Sequence, residues 1–463
     1  MTNKTLITSI SGIRGIFGAG LSPEVLVRYA SAYARWCIES GSGRTVVIGR
    51  DARTTGEVCA RIVSGTIAAS GLDVFDAGLT TTPTVEMAVI REGAAGGIVL
   101  SASHNPGEWN ALKLLNGLGE FLSPDEGARV LQLAAEGVDS SVGYRSVGKI
   151  VRREYLEGHI EAILDLPFID AGKIGSRGFS VVVDGVNSVG GIAVPALLQR
   201  LGVTEITCVN CDPTGVFAHP AEPLPENLAD TLKVVRETGT DLGIVVDPDV
   251  DRLALIEPGG RYLSEELTQV VAADFMWRFR DGPFVTNLSS SRAIDDVAGR
   301  YGQDVYRSAV GEINVVKKMQ EVGAILGGEG SGGVILPDLH YGRDALVGVA
   351  IVLQHLANEG LTLAEERSSL PTYHISKKKV EIGDADPEAL LGAIAEAHAA
   401  EGPDLTDGVK IDLDDGWVHI RRSNTEPIMR VYSEGRTPEA AAALGERFVS
   451  ELRAVSRCHP ERT

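Results

Sequence analysis

Four short stretches of this sequence hold residue types that could do chemistry. The first, "SASHNP" (Ser101 to Pro106), sets Ser103 beside His104 after an apolar run. Neighbouring side chains diverge in strands and helices, which disfavours a serine–histidine dyad, and no G-x-S-x-G elbow is present. Two readings remain. One is a turn whose Ser and Asn cap backbone groups, and the hexapeptide alone favours it; the other is a loop serine that accepts and returns a phosphoryl group. The second stretch, "DPDVDR" (Asp247 to Arg252), places Asp247, Asp249 and Asp251 at alternate positions after "GIVV". In an extended or looping backbone that spacing turns three carboxylates towards one point, an oxygen set suited to Mg2+. The Gly and distal Glu of an EF-hand do not follow, and a solvated acidic loop is the plainer alternative.

The third stretch, "GGEGSGG" (Gly327 to Gly333), permits close backbone approach, while Glu329 and Ser331 offer acceptors for sugar hydroxyls. It has no P-loop Lys, and by itself it reads as a Gly-rich turn. The fourth, "RRSNTEP" (Arg421 to Pro427), joins the Arg421 guanidinium to Ser423, Asn424 and Thr425. That is phosphate-binding chemistry, with a capped β-turn as the alternative. Taken together, a phosphate-bearing hydroxyl, a carboxylate-held cation, a hydroxyl reader and a distant phosphate clamp are the parts of sugar phosphoryl transfer.

These stretches need a scaffold. A β-branched run followed by a helix-compatible stretch recurs at Thr45, Ser180, Leu242 and Pro283. Near-continuous Val/Ile runs read as strands covered on both faces by helices, with ligands bound by the loops that follow. The expected architecture is α/β: three tandem similar α/β domains with mixed sheets between helices, plus a small C-terminal α+β domain. Boundaries are expected at 1–150 (serine loop), 151–257 (metal loop), 258–371 (sugar loop) and 372–463 (phosphate loop). Val151 to Leu164 reads as a helical linker, and the last domain as an Ala-rich helix (Pro387 to Glu401), strands and a closing helix from Pro438.

The 463 residues carry a formal net charge of −20, which argues against nucleic-acid or anionic-membrane partners and requires a local basic pocket for any anionic substrate. Five scattered cysteines are no disulfide framework, and Cys208 and Cys211 lack the second pair of a zinc site. With no signal-peptide or spanning pattern, a soluble cytoplasmic protein is expected, as monomer or homodimer.

In this order, with "SGIRG" (Ser11 to Gly15), "GRDAR" (Gly49 to Arg53), "TTTPT" and "EPLPENL", the stretches resemble the α-D-phosphohexomutase superfamily over the whole chain. The resemblance implies a phosphoserine at Ser103, flanked by His104 and Lys113, with Arg14 and Arg252 close by. It implies Mg2+ held by Ser103, Asp247, Asp249 and Asp251. Glu329 and Ser331 would bind sugar hydroxyls, and Arg421, Ser423, Asn424 and Thr425 the non-reacting phosphate. The implied reaction interconverts hexose 6-phosphate and hexose 1-phosphate through a sugar 1,6-bisphosphate, which also acts as activator.

Departures bear on substrate. Gly333 stands where many members have a histidine, with His340 as a candidate replacement. Glu312 stands where some mannose and glucose mutases have a histidine, and a carboxylate there could pair with a glucosamine ammonium. Glucosamine phosphate is therefore the first expectation, with a mannose or glucose mutase as the alternative within the superfamily. A Mg2+-dependent sugar phosphatase or a sugar-phosphate-binding regulator are the alternatives outside it.

Overall fold

The structure, a computed structural model, describes residues 5–9, 12–41, 43–137, 140–383, 385–422 and 428–458. It divides into two compact units, Met1–Arg280 with Ser331–Arg367, and Asp281–Gly330 with Ser368–Thr463.

The first unit is built on two mixed sheets. In one, the strands run Ile7–Ser9, Gly12–Ile16, Trp109–Leu115, Gly96–Leu100, Thr45–Arg50, Asp73–Leu79 and Ile150–Arg152. The Thr45–Arg50 strand pairs in parallel on both sides. Strand periodicity divides its apolar residues between two cores. Val46, Ile48, Ile98 and Leu100 pack with helices Pro23–Ser40 and Gly56–Ala69. Val47 and Val99 pack with Val85 and Val89 of helix Thr82–Glu92. The other sheet runs Arg261–Leu263, Leu253–Glu257, Leu242–Val246, Ser180–Asp184 and Glu205–Val209, and its three central strands are almost wholly buried.

In the second unit, strands Val305–Ser308, Phe284–Asn287 and Leu326–Glu329 pair in parallel. A separate antiparallel sheet runs His374–Glu381, Ile428–Gly435, Gly416–Arg422 and Val409–Leu413, with Leu390, Ile394, Phe448 and Leu452 of two helices packed on its apolar face.

The α/β and α+β organisation agrees with the expectation, and two local readings differ. The chain after Leu242–Val246 returns as an antiparallel strand, not a helix, with Val246 opposite Leu253. The expected helix from Val151 begins at Leu156, because Ile150–Arg152 is drawn into parallel pairing with Val74–Asp76. Among the described residues no single helix is long and apolar enough to cross a membrane.

Candidate active site

Ser103 lies in the hairpin loop between strands Gly96–Leu100 and Trp109–Leu115. Its φ of 48° is a left-handed conformation, which a non-glycine residue holds only where its surroundings impose it. Arg53 does so. This fully buried guanidinium donates to the carbonyls of Ser103 (2.5 Å), Asn105 (2.7 Å), Pro106 (2.5 Å) and Trp109 (3.0 Å), and its Nε to Asp51 (3.0 Å). The left-handed turn also brings Ser103 Oγ to 3.4 Å from His104 Nδ1, where regular backbone would have separated them. The hydroxyl nevertheless finds its better partner elsewhere, donating to Asp247 Oδ2 at 2.7 Å.

Asp247 to Arg252 closes the hairpin between Leu242–Val246 and Leu253–Glu257, with Val250 left-handed at φ 63°. Asp247 Oδ1 accepts the N–H groups of Asp251 (3.1 Å) and Arg252 (3.2 Å), so the loop folds back on its first carboxylate. Asp249 Oδ2 accepts from the Thr82 hydroxyl and from Lys113 Nζ (2.5 Å). Asp251 Oδ2 accepts from Lys113 Nζ (3.2 Å) and the Arg343 guanidinium (2.8 Å). Ser188 ties the loops together, donating to Pro248 O (2.7 Å) and accepting from Ala52 N (3.2 Å).

The three aspartates are fully buried with ligand oxygens within 4.8 Å of one another. Asp249 Oδ1 and Asp251 Oδ1 have no hydrogen-bond partner among the described residues. Buried acceptors left in this way cost free energy, and a hard divalent cation satisfies them, so the donor set fits Mg2+.

The electrostatics agree. Burial, then repulsion from Asp251 and Asp249, raises the Asp247 carboxyl well above its ordinary value. Burial works against the Lys113 ammonium, but Asp249 and Asp251 outweigh it and raise its pKa, so Lys113 stays charged. Arg252, then burial, pushes His104 down to about 2, leaving a neutral imidazole. Arg14, on strand Gly12–Ile16, reaches Asn105 Oδ1 at 3.4 Å; Arg252 reaches Glu222 of the "EPLPENL" stretch, also at 3.4 Å.

The structure thus brings together Ser103, His104, Lys113, Asp247, Asp249, Asp251, Arg14 and Arg252. It places His340 inside the first unit, 4% exposed, between Glu86 (3.2 Å) and Asp344 (3.4 Å). Ser331 is half-buried in the turn before strand Gly333–Ile335.

In the second unit, Glu329 Oε1 accepts from Asn287 Nδ2 (2.9 Å) and Gly311 N (3.2 Å), and Gly330 N donates to Ser290 (3.1 Å). Glu312 follows Gly311 and opens helix Glu312–Val322, where the helix dipole favours a carboxylate. Arg421 lies in strand Gly416–Arg422, and its buried Nε has no hydrogen-bond partner among the described residues. Ser423, Asn424 and Thr425 lie outside the described residues.

Sequence reasoning singled out no role for Arg53, Thr82, Ser188 or Arg343. Arg53 and Thr82 sit in quoted stretches, whereas nothing local marks Arg343.

Comparison with known proteins gives this geometry a family. Profiles of phosphoglucomutase/phosphomannomutase match in series: alpha/beta/alpha domain I over residues 6–139, domain II over 157–260, domain III over 265–373 and the C-terminal domain over 378–451. The chain belongs to this phosphohexomutase family. A phosphoglucomutase/phosphomannomutase of Thermococcus kodakarensis is 35% identical, over 93% of this chain and 94% of its own. A phosphoglucosamine/phosphogalactosamine mutase of Sulfurisphaera tokodaii is 30% identical, over 96% and 97%. A solved phosphoglucomutase/phosphomannomutase family protein of Burkholderia thailandensis shares the fold, with a TM-score of 0.83 at 24% identity over 97% and 98%.

Proposed function

We propose that this protein interconverts hexosamine 6-phosphate and hexosamine 1-phosphate, glucosamine first, through phospho-Ser103 and a sugar 1,6-bisphosphate. The observation that carries the phosphoryl-transfer part is the Ser103 hydroxyl held on Asp247, beside two buried aspartate oxygens that have no hydrogen-bond partner among the described residues. Asp247, Asp249, Asp251 and the Ser103 phosphate would hold Mg2+, which offsets charge on the transferring group. Lys113, held protonated between Asp249 and Asp251, suits charge neutralisation better than proton abstraction. Arg14 and Arg252 add fixed positive charge, and neutral His104 adds a hydrogen-bonding group beside the serine.

In the first transfer the Ser103 O–P bond breaks and a bond forms to a sugar hydroxyl, whose proton leaves to a base. After the bisphosphate turns over, its other phosphate returns to Ser103. Glu329 and Ser331 read sugar hydroxyls in this scheme, and Arg421, Ser423, Asn424 and Thr425 grip the resting phosphate. The buried Arg421 Nε, with no hydrogen-bond partner among the described residues, supports an anion there.

Glu312 supports the amino sugar, because its carboxylate beside the Glu329-binding Gly311 suits an ammonium group. The name of the Sulfurisphaera relative points the same way, and that of the Thermococcus relative supports glucose and mannose phosphates as the second reading.

Intact mass tests the chemistry. A fraction heavier by one phosphate, absent in Ser103→Ala, is expected, and steady release of inorganic phosphate would indicate a phosphatase instead. Initial rates on glucosamine, mannose and glucose 6-phosphates test the substrate. Faster turnover of the neutral sugars, unchanged in ratio by Glu312→His, would overturn the glucosamine assignment.

A further inference from the structure

Gly333 is a glycine for a reason outside its own backbone. It does not have a left-handed φ, yet a Cβ there would lie 2.3 Å from Arg343 Cδ and 2.9 Å from its Cγ. The arginine stem lies across the bare backbone, and its guanidinium, about one-tenth exposed, donates to Asp251 Oδ2. Backbone hydrogen bonds hold the two segments in register: Leu253 N to Gly332 O (3.0 Å), Ala345 N to Val250 O (3.2 Å) and Asp344 N to Val334 O (2.8 Å). Arg343 is therefore fixed to the aspartate loop at both ends, and its charge is felt as far as His104, with those of Arg14 and Arg252.

We propose that Arg343 is a positioning and charge-setting residue for phosphoryl transfer at Ser103, and that Gly333 is bare in order to admit it. The proposal rests on the phosphohexomutase reading above. With Lys113, Arg343 occupies Asp251 Oδ2 and leaves Oδ1, which has no hydrogen-bond partner among the described residues, for the cation. Its charge does not titrate, so it offsets the three carboxylates at every working pH. An incoming phosphoryl dianion meets less repulsion, and a divalent cation is held less tightly than by uncompensated carboxylates. Removing the charge should therefore move two properties in opposite directions. Loss of a residue that only packs would loosen both.

The test uses dephosphorylated full-length protein, with Mn2+ binding followed by electron paramagnetic resonance. Ser103 loading from α-D-glucose 1,6-bisphosphate is followed by intact mass. Arg343→Met keeps the stem and should load at least about tenfold more slowly, the scale of one charge-assisted hydrogen bond. It should bind Mn2+ about three- to tenfold more tightly, as one charge removed at effective protein dielectric implies. Arg343→Lys should recover much of the loading rate. Gly333→Ala should reproduce Arg343→Met, and the double variant should be no slower than either.

Three results would overturn the proposal alone: wild-type loading by Arg343→Met, Mn2+ binding and loading that weaken together, or single effects that multiply. A wild-type protein that takes no phosphate at Ser103 would overturn the mutase reading and this proposal with it.

Discussion

Three buried clusters in the first unit each gather ligand-type side chains within 4.8 Å, and two of them are opposite in kind. One is Asp247, Asp249 and Asp251, three acids on one hairpin loop. The other is His159, His340 and Asp344, with Glu86 beside them, where acids and imidazoles alternate. His159 lies between Thr84 Oγ1 and Asp344 Oδ2, each at 2.9 Å, while Asp344 Oδ1 caps helix Ala345–Glu359. Burial works against His340, but hydrogen bonding to Asp344 and Glu86 raises it to about 10, so this cluster supplies its own cation. The aspartate loop ends in one cation, Arg252, whose Nε stands 3.8 Å from Asp251 Oδ1, beyond hydrogen-bond reach. It also borrows Lys113 and Arg343 from distant strands and loops, and still has two oxygens with no hydrogen-bond partner among the described residues. Closeness of ligand types therefore does not define a metal site. Glu86 Oε1 and Oε2 also lack hydrogen-bond partners among the described residues, but the charged His340 ring lies 3.2 Å from Oε2, so unsatisfied acceptors point to an ion only where no cation already stands this close.

The largest expected effect separates the clusters by metal. Asp249→Ala should weaken Mn2+ binding by about 100-fold or more, since it removes a ligand where supporting-shell changes alone cost about 10- to 100-fold. His340→Gln should leave that affinity within about threefold. Equal losses would erase the distinction.

Stability should separate them next, with opposite signs. His340→Gln removes the cation between two buried carboxylates and should cost about 3–5 kcal/mol in urea unfolding. Asp247→Asn, measured in chelator, removes a carboxyl that burial and then its neighbours Asp251 and Asp249 raise well above its ordinary value, and should stabilise the metal-free protein by about 1 kcal/mol.

Protonation gives a smaller effect of fixed sign. The His340 value is raised from 6.5 to about 10 on folding, so the folded state favours the charged ring. Its contribution is complete below pH 6.5 and is lost as pH rises towards 10. Wild-type urea midpoints should fall across that window, and the fall should be shallower in His340→Gln. Parallel curves would contradict the charged-imidazole assignment.

What could be read in advance follows the same division. Ser103 and the three aspartates were legible because each cluster of chemistry lies within six residues, and strand patterning fixed what preceded it. The hairpins were missed, since a buried strand looks the same whether a helix or an antiparallel strand follows. Arg53 and Arg343 act across 50 and 92 positions, on the Ser103 carbonyl and on Asp251, and no local pattern encodes such pairing. Gly333 was read as a missing histidine, and no local pattern shows that a Cβ there would lie 2.3 Å from Arg343 Cδ. His340 looked like a replacement ligand because sequence shows its neighbours in the chain, not Glu86, 254 positions earlier.

The finest division falls within one helical turn. Helix Thr82–Glu92 starts against both clusters: Thr82 donates its hydroxyl and its N–H to Asp249, and Thr84 Oγ1 meets His159. Both are buried, and Val replaces Thr with nearly the same shape while deleting one hydroxyl. Each change should cost about 1 kcal/mol of stability, the ordinary value of such a hydrogen bond. Only Thr82→Val should also weaken Mn2+ binding, by about tenfold, because only Thr82 steadies a metal-facing carboxylate. If Thr84→Val weakened Mn2+ binding as much, the clusters would be one coupled network, and the self-compensated half would have to be counted as part of the site.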